Sequence, residues 1–166
     1  MEVSDALSGA AAAGTLGGPV LLTDGESLPG AIAAELARLK PEKIVLLGSA
    51  GSVSESVRTA ARKYTATVER LAGADRFETS AAVSRASFAP GVPVVYLTNG
   101  WKFPDALSGA AAAGTLGGPV LLTNADALPV SIATELARLK PQRIVVLGDE
   151  SSVADLVRLA ARATAR

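Results

Sequence analysis

The run DALSGAAAAGTLGGPVLLT occupies residues 5–23 and returns unchanged at residues 105–123. Similarity continues beyond the block through LP..IA.ELARLKP..IV.LG to V...VR.AAR, so that 5–63 matches 105–163 at roughly two positions in three, a repeat of roughly 100 residues. Nothing before Asp5 corresponds to 64–104. The expected organisation is therefore a truncated first repeat unit over 1–63 and a complete second unit over 64–166.

Working outward from the block, apolar β-branched runs predict strands at Val20–Thr23, Ile44–Leu47, Val68–Leu71, Val94–Thr98, Val120–Thr123 and Ile144–Leu147. Helical spacing lies between them, near Ala6–Leu16, Ile32–Leu39, Val53–Lys63, Glu78–Ala86, Ala106–Leu116, Ile132–Leu139 and Val153–Arg162. Strands that alternate with helices and are nearly all apolar predict an α/β fold, a mainly parallel sheet with helices on both faces and right-handed crossovers. Asp5, Asp105, Ser52 and Ser152 read as N-caps, while Lys40-Pro41 and Lys140-Pro141 stop helices with a cation in the last turn and a proline beyond. The GAAAAG flank of the repeated helix permits close backbone approach, either to its own sheet or to a helix of the other unit.

Composition narrows the function classes. Hydrophobic residues make up 49% of the 166, enough to bury a core. Sixteen Lys and Arg balance sixteen Asp and Glu, which gives no global field for nucleic acid or anionic membrane. The chain has no Cys and no His, which removes disulfides, thiolate zinc sites, cysteine nucleophiles and the usual general base. Met1–Asp5 lacks a basic region followed by an apolar stretch, so no secretory signal is expected there, and the apolar run 9–22 is too short and too broken by Gly17, Gly18 and Pro19 to span a bilayer.

Three segments could carry a site. LLGSAGSVSESV has the strand, turn and helix order of a phosphate cradle, but it lacks GxGxxG and GxxxxGK[ST], and its second copy places Asp149 and Glu150 in the turn. In RLAGADRFETS, Asp75 reads as an N-cap with Glu78 completing a capping box, and Arg76 is the polar residue most able to meet a ligand. The loop Thr98–Asp105 sits at the carboxyl end of a parallel strand, where open sheets bind ligands. It holds Asn99, Trp101, Lys102 and Phe103, which can stack on sugar rings and bond hydroxyls or phosphates, or can simply plug the sheet end and form the turn. No catalytic triad can be assembled, and the carboxylates Asp75 and Asp105 both read as caps; no enzyme activity, metal or cofactor is expected.

The ordered motifs RLAGADRFETSAAVS, VVYLTNG, FPDALSGAAAAGTLGGPVLLT and LP..I..EL.RLKP..I.VLG...SV resemble those of the cell wall binding repeat 2 family, over nearly the whole chain. The resemblance implies repeats of Gram-positive surface proteins, packed in threes around a pseudo-threefold axis beside a separate catalytic domain. It further implies noncovalent anchoring, without catalysis, to an anionic cell wall polymer or another peptidoglycan-linked glycan, and hence an extracellular place in the cell wall. The family's apolar pair after an aliphatic residue maps onto Val20-Leu21-Leu22 and Val120-Leu121-Leu122, which adds Leu121 and Leu122 to Trp101, Lys102, Asn99, Arg76 and Asp75 as polymer-contact candidates. Two other readings remain: a structural repeat, natural or engineered, whose partner is itself, and a small-molecule or nucleotide-binding α/β domain. Two halves competing for the strands of 64–104 would leave Val20–Thr23 and Ile44–Leu47 with an open edge, and this predicts a homo-oligomer or packing with further repeats.

Overall fold

A computed structural model describes residues 3–102 and 112–165. In chain order these residues form α1 (Val3–Leu16), α2 (Gly30–Leu39), β1 (Lys43–Leu47), α3 (Glu55–Ala61), β2 (Thr67–Leu71), α4 (Arg76–Ser87) and β3 (Val95–Asn99). A helical stretch over 112–116 leads into β4 (Val120–Thr123), followed by α5 (Val130–Leu139), β5 (Ile144–Leu147) and α6 (Asp155–Thr164). The expected cap at Asp105, the side chain of Phe103 and the start of the second Ala/Gly helix lie outside the described residues.

Among the described residues every strand pairing is parallel, in keeping with the α/β reading: β1 with β2 in one sheet, and the order β4–β3–β5 in the other. The segment 64–104 does not serve one half alone. It hands β2 to the first sheet, in register Ile44 with Val68, and β3 to the second, in register Tyr96 with Val120 and Val145. β2 thus covers one edge of 44–47, and among the described residues no strand pairs with the other.

The repeated block folds in two ways. Over 120–123 it is a fully buried strand, with Leu121 and Leu122 at 0% exposure. Over 20–23 it is not a strand, with Val20 40% and Leu22 53% exposed, and this overturns the strand expected there. Sequence cannot be the cause, because the two stretches are identical. β3 is hydrogen-bonded on both sides already, to β4 and β5, and no described strand lies beside 20–23. A strand without a neighbour cannot satisfy its backbone groups, and the chain remains irregular. The same contrast appears two residues earlier: a Cβ on Gly118 would run into the Val94 carbonyl at the foot of β3, whereas one on Gly18 would meet open space.

The core lies between β3–β4–β5 and helices α4, α5 and α6, with Leu97, Leu121, Leu122, Ile132, Leu136, Leu139, Val153 and Val157 fully out of contact with water. Glu135 is buried among them but satisfied, accepting from the Ser84 hydroxyl at 2.6 Å and pairing with Arg138 at 2.7 Å. The two units meet through the Ala/Gly helices. A Cβ on Gly14 would stand 3.0 Å from Gly114 Cα, and Ala11 and Ala113 are both buried, so of the two packings open to this helix, contact between units is present. Lys40 and Lys140 end α2 and α5 in the left-handed region (φ 48° and 44°), each donating its N–H to Leu36 or Leu136 O, as the Lys-Pro stops suggested.

Two capping expectations need correction. α3 and α6 start after Ser54 and Ala154 rather than after Ser52 and Ser152, because the amides of Ser52, Val53, Ser152 and Val153 are drawn back onto Ser49 O or Asp149 O in a tight turn. Asp5 lies inside the first turn of α1, which begins at Val3.

Candidate functional site

In a parallel arrangement the carboxyl ends of all strands share one rim, and the loops there are free to carry polar groups. The loops after β1, β2 and β3 converge in this protein. Asp5, Ser49, Ser52, Asp75, Arg76 and Thr79 line a small polar pocket of about 80 Å³ between the end of the first sheet and the start of α4. Asp75 caps α4 by accepting from the Glu78 N–H at 2.8 Å, and the Glu78 carboxylate accepts from the Ala74 N–H at 2.9 Å. This capping box holds Arg76 at the helix start.

From that corner the Arg76 guanidinium spans to the loop after β3. It donates to the Gly100 carbonyl at 2.9 Å and lies over the Trp101 ring, 3.6 Å from its centroid. Phe77 meets the same indole edge-on at 6.4 Å. The indole Nε1 donates to Asn124 Oδ1 at 3.1 Å, so three neighbours orient the ring, yet Trp101 remains 59% exposed. It is a fixed aromatic surface facing solvent.

Asn99 is buried and serves the loop. Its Nδ2 donates to the Ser152 carbonyl at 2.7 Å and its Oδ1 accepts from the Trp101 N–H at 2.7 Å, tying the end of β3 to the turn after β5. Lys102 is exposed, and its ammonium donates to Ser151 O at 3.1 Å and approaches the hydroxyls of Ser151 and Ser152. Hydrogen bonds from the Ser151 hydroxyl and then from Ser152, with the Lys102 charge adding to them, hold the Asp149 carboxyl below its ordinary value.

Of the residues expected at a site, the fold gathers Asp75, Arg76, Asn99, Trp101 and Lys102 on one rim. Leu121 and Leu122 are not on it; at 0% exposure they offer no surface to a polymer and act as core. Asn124 was missed, although it follows the repeated block and differs from its counterpart Asp24, and the Ser151–Ser152 turn, weighed as a phosphate cradle, instead receives Asn99 and Lys102. The turn amides that a phosphate cradle would need are already bonded to Ser49 O and Asp149 O, which argues against the nucleotide reading. Among the described residues no group of three or more His, Cys, Asp or Glu could hold a metal ion, and no helix is long and apolar enough to cross a membrane.

Comparison with known proteins agrees with this architecture. The chain is 35% identical over 127 residues to the amidase enhancer of Bacillus subtilis, covering 76% of this chain and 17% of that protein. It is 25% identical over 154 residues to the N-acetylmuramoyl-L-alanine amidase LytC of the same organism, covering 93% of this chain and 31% of that one. The solved structure of Cwp6 from Clostridium difficile superposes with a TM-score of 0.89 at 25% identity, over 98% of this chain and 26% of that chain. The chain thus spans less than a third of each of these proteins. Residues 2–58 and 70–158 match cell wall binding domain 2 (CWB2), and the chain belongs to that family.

Proposed function

We propose that this chain is a non-catalytic module that anchors its protein to the bacterial cell wall outside the cell by holding an anionic secondary wall polymer on the Arg76–Trp101–Lys102 rim. The observation that carries the proposal is the exposed Trp101 ring, fixed by Arg76, Phe77 and Asn124, with the Lys102 ammonium on the adjoining residue. A ring held in place loses little entropy when a sugar stacks on it, and neighbouring cations suit phosphate or carboxylate groups along the same polymer. Family membership supports the target, and the lack of His and Cys agrees with a binding role. Packing against further repeat units, and self-association of the chain, belong to the same proposal, supported by the close contact of the units at Gly14 and Gly114.

The test is sedimentation of the pure protein with purified cell walls before and after acid extraction of the secondary polymers. Binding to intact walls that is lost on extraction and reduced by Trp101→Ala supports the proposal. Undiminished binding to extracted walls refutes the polymer assignment.

A further inference from the structure

The two sheets are built on the same repeat, yet among the described residues the last strand of one has a neighbour that its counterpart in the other lacks. Lys43–Leu47 and its counterpart 143–147 are the last strands of their units, and β1 carries β2 while β5 ends its sheet beside β3. In the first sheet the added strand is read closely. Val68 packs on Leu46 and Ala61, Glu69 pairs with Lys43 at 2.7 Å, and Gly48 N donates to Leu71 O at 2.9 Å. Arg70 donates to the carbonyls of Gly48 (2.8 Å) and Ser49 (3.1 Å) and pairs with Glu55 at 3.0 Å.

Each receiving group recurs in the second sheet. Arg143 stands for Lys43, Val146 and Ala161 for Leu46 and Ala61, Gly148 for Gly48 and Asp155 for Glu55. Where Val68 fills the first sheet, the second has a groove of about 500 Å³ beside β5, floored by Ile144 and Val146 and bordered by Arg143, Arg158 and Arg162. Arg158 pairs with Asp155 at 3.5 Å, as Arg58 pairs with Glu55 at 3.4 Å, and it also approaches Gly148 O at 3.4 Å, the counterpart of a carbonyl that Arg70 holds in the first sheet.

We propose that β5 receives a parallel strand of the β2 type, with the pattern Thr-Val-Glu-Arg-Leu, from the beginning of another repeat unit. In the register of the first sheet its Val covers Ile144 and Val146, its Glu meets Arg143, and its Arg takes Gly148 O from Arg158 and shares Asp155 with it, as Arg70 and Arg58 share Glu55. Backbone pairing supplies affinity, and the two charge contacts select strand and register. An anionic polymer matches only the arginines; the strand also matches the apolar floor, the open edge and Asp155.

The test titrates a synthetic peptide of residues 64–74 against the full chain, reading backbone amide shifts by NMR. Saturable shifts centred on 144–148 are expected, weakened at least about tenfold when the peptide carries Glu69→Lys and recovered when the protein carries Arg143→Glu. As a second measurement, Thr-Val-Glu-Arg-Leu-Ala-Gly appended after Arg166 should raise Tm, whereas the version with Lys in place of Glu should raise it less, and Arg143→Glu should reverse that order. Equal behaviour of the two charge versions in both experiments overturns the proposal, as do shifts confined to 43–48. Shifts at 144–148 caused by a glycerol-phosphate polymer and not by the peptide overturn it in favour of a polymer groove.

Discussion

Replacing Leu122 and Leu22 by alanine, one at a time, tests the claim that a neighbouring strand decides how the repeated block folds. Leu122 is 0% exposed in β4, and Leu22 is 53% exposed in irregular chain. Truncating a buried leucine removes its transfer free energy and leaves a cavity, costing about 2–5 kcal/mol. A leucine half in water with no strand around it costs within about 0.5 kcal/mol. For a chain of this size 1 kcal/mol corresponds to roughly 2–4 °C in Tm, so Leu122→Ala should lower Tm by roughly 6–12 °C if it costs about 3 kcal/mol, and Leu22→Ala by no more than about 2 °C. Residues 5–23 and 105–123 are identical, so intrinsic propensity and most unfolded-state effects cancel between the variants. Thermal and urea melts followed by circular dichroism give both numbers. Equal losses for the two leucines would show that 20–23 is a buried strand after all and refute the reasoning.

Trp101→Ala should lower wall-polymer affinity at least about tenfold in a sedimentation isotherm while moving Tm by only a few degrees, because the ring is mostly exposed and its cation–π contact is worth about 0.5–1 kcal/mol; a large Tm loss with unchanged affinity would make the ring a structural plug. Gly14→Leu should destabilise by about 1–3 kcal/mol despite the better helix propensity of leucine, since its side chain must enter the space held by Gly114, and a raised Tm in a melt would contradict that contact. Asp149 has a folded-state pKa below its unfolded value, so its contribution is present above the unfolded pKa and is lost as pH falls through the folded one. Asp149→Asn should therefore lower stability near neutral pH and flatten the fall of Tm through the acid range, as checked by melts from pH 7 to about pH 2. Light scattering over a concentration series should show a mass that rises above the monomer; a monomer mass at every concentration would exclude self-association.

Strand identity in the second unit was legible because a parallel strand covered by helices is apolar at successive positions, as Val120–Thr123 and Ile144–Leu147 show. The same reasoning failed at Val20–Thr23, since periodicity reports what a segment can bury, not whether a neighbour is present to bury it. Helix stops were readable from Lys-Pro, a local signal, whereas the starts at Ser54 and Ala154 depended on the turns that draw in the preceding amides. Asp75 and Glu78 revealed their cap at a spacing of three residues. The rest of the rim joins residues far apart in sequence, Arg76 to Gly100 and Lys102 to Ser151, and no local spacing announces such pairs.

Because β2 crosses into the first sheet, the sequence repeat and the folding unit are counted in different frames. A cassette excised at residue 63 keeps β1 but leaves Leu46 and Ala61 uncovered, since Val68 goes with the piece that follows. One that runs through Gly73 carries its own closing strand and stops before the Asp75 cap, leaving α4 and β3 whole in the remainder. Splicing repeats from different proteins at that second junction therefore leaves every strand beside the partner it was selected against.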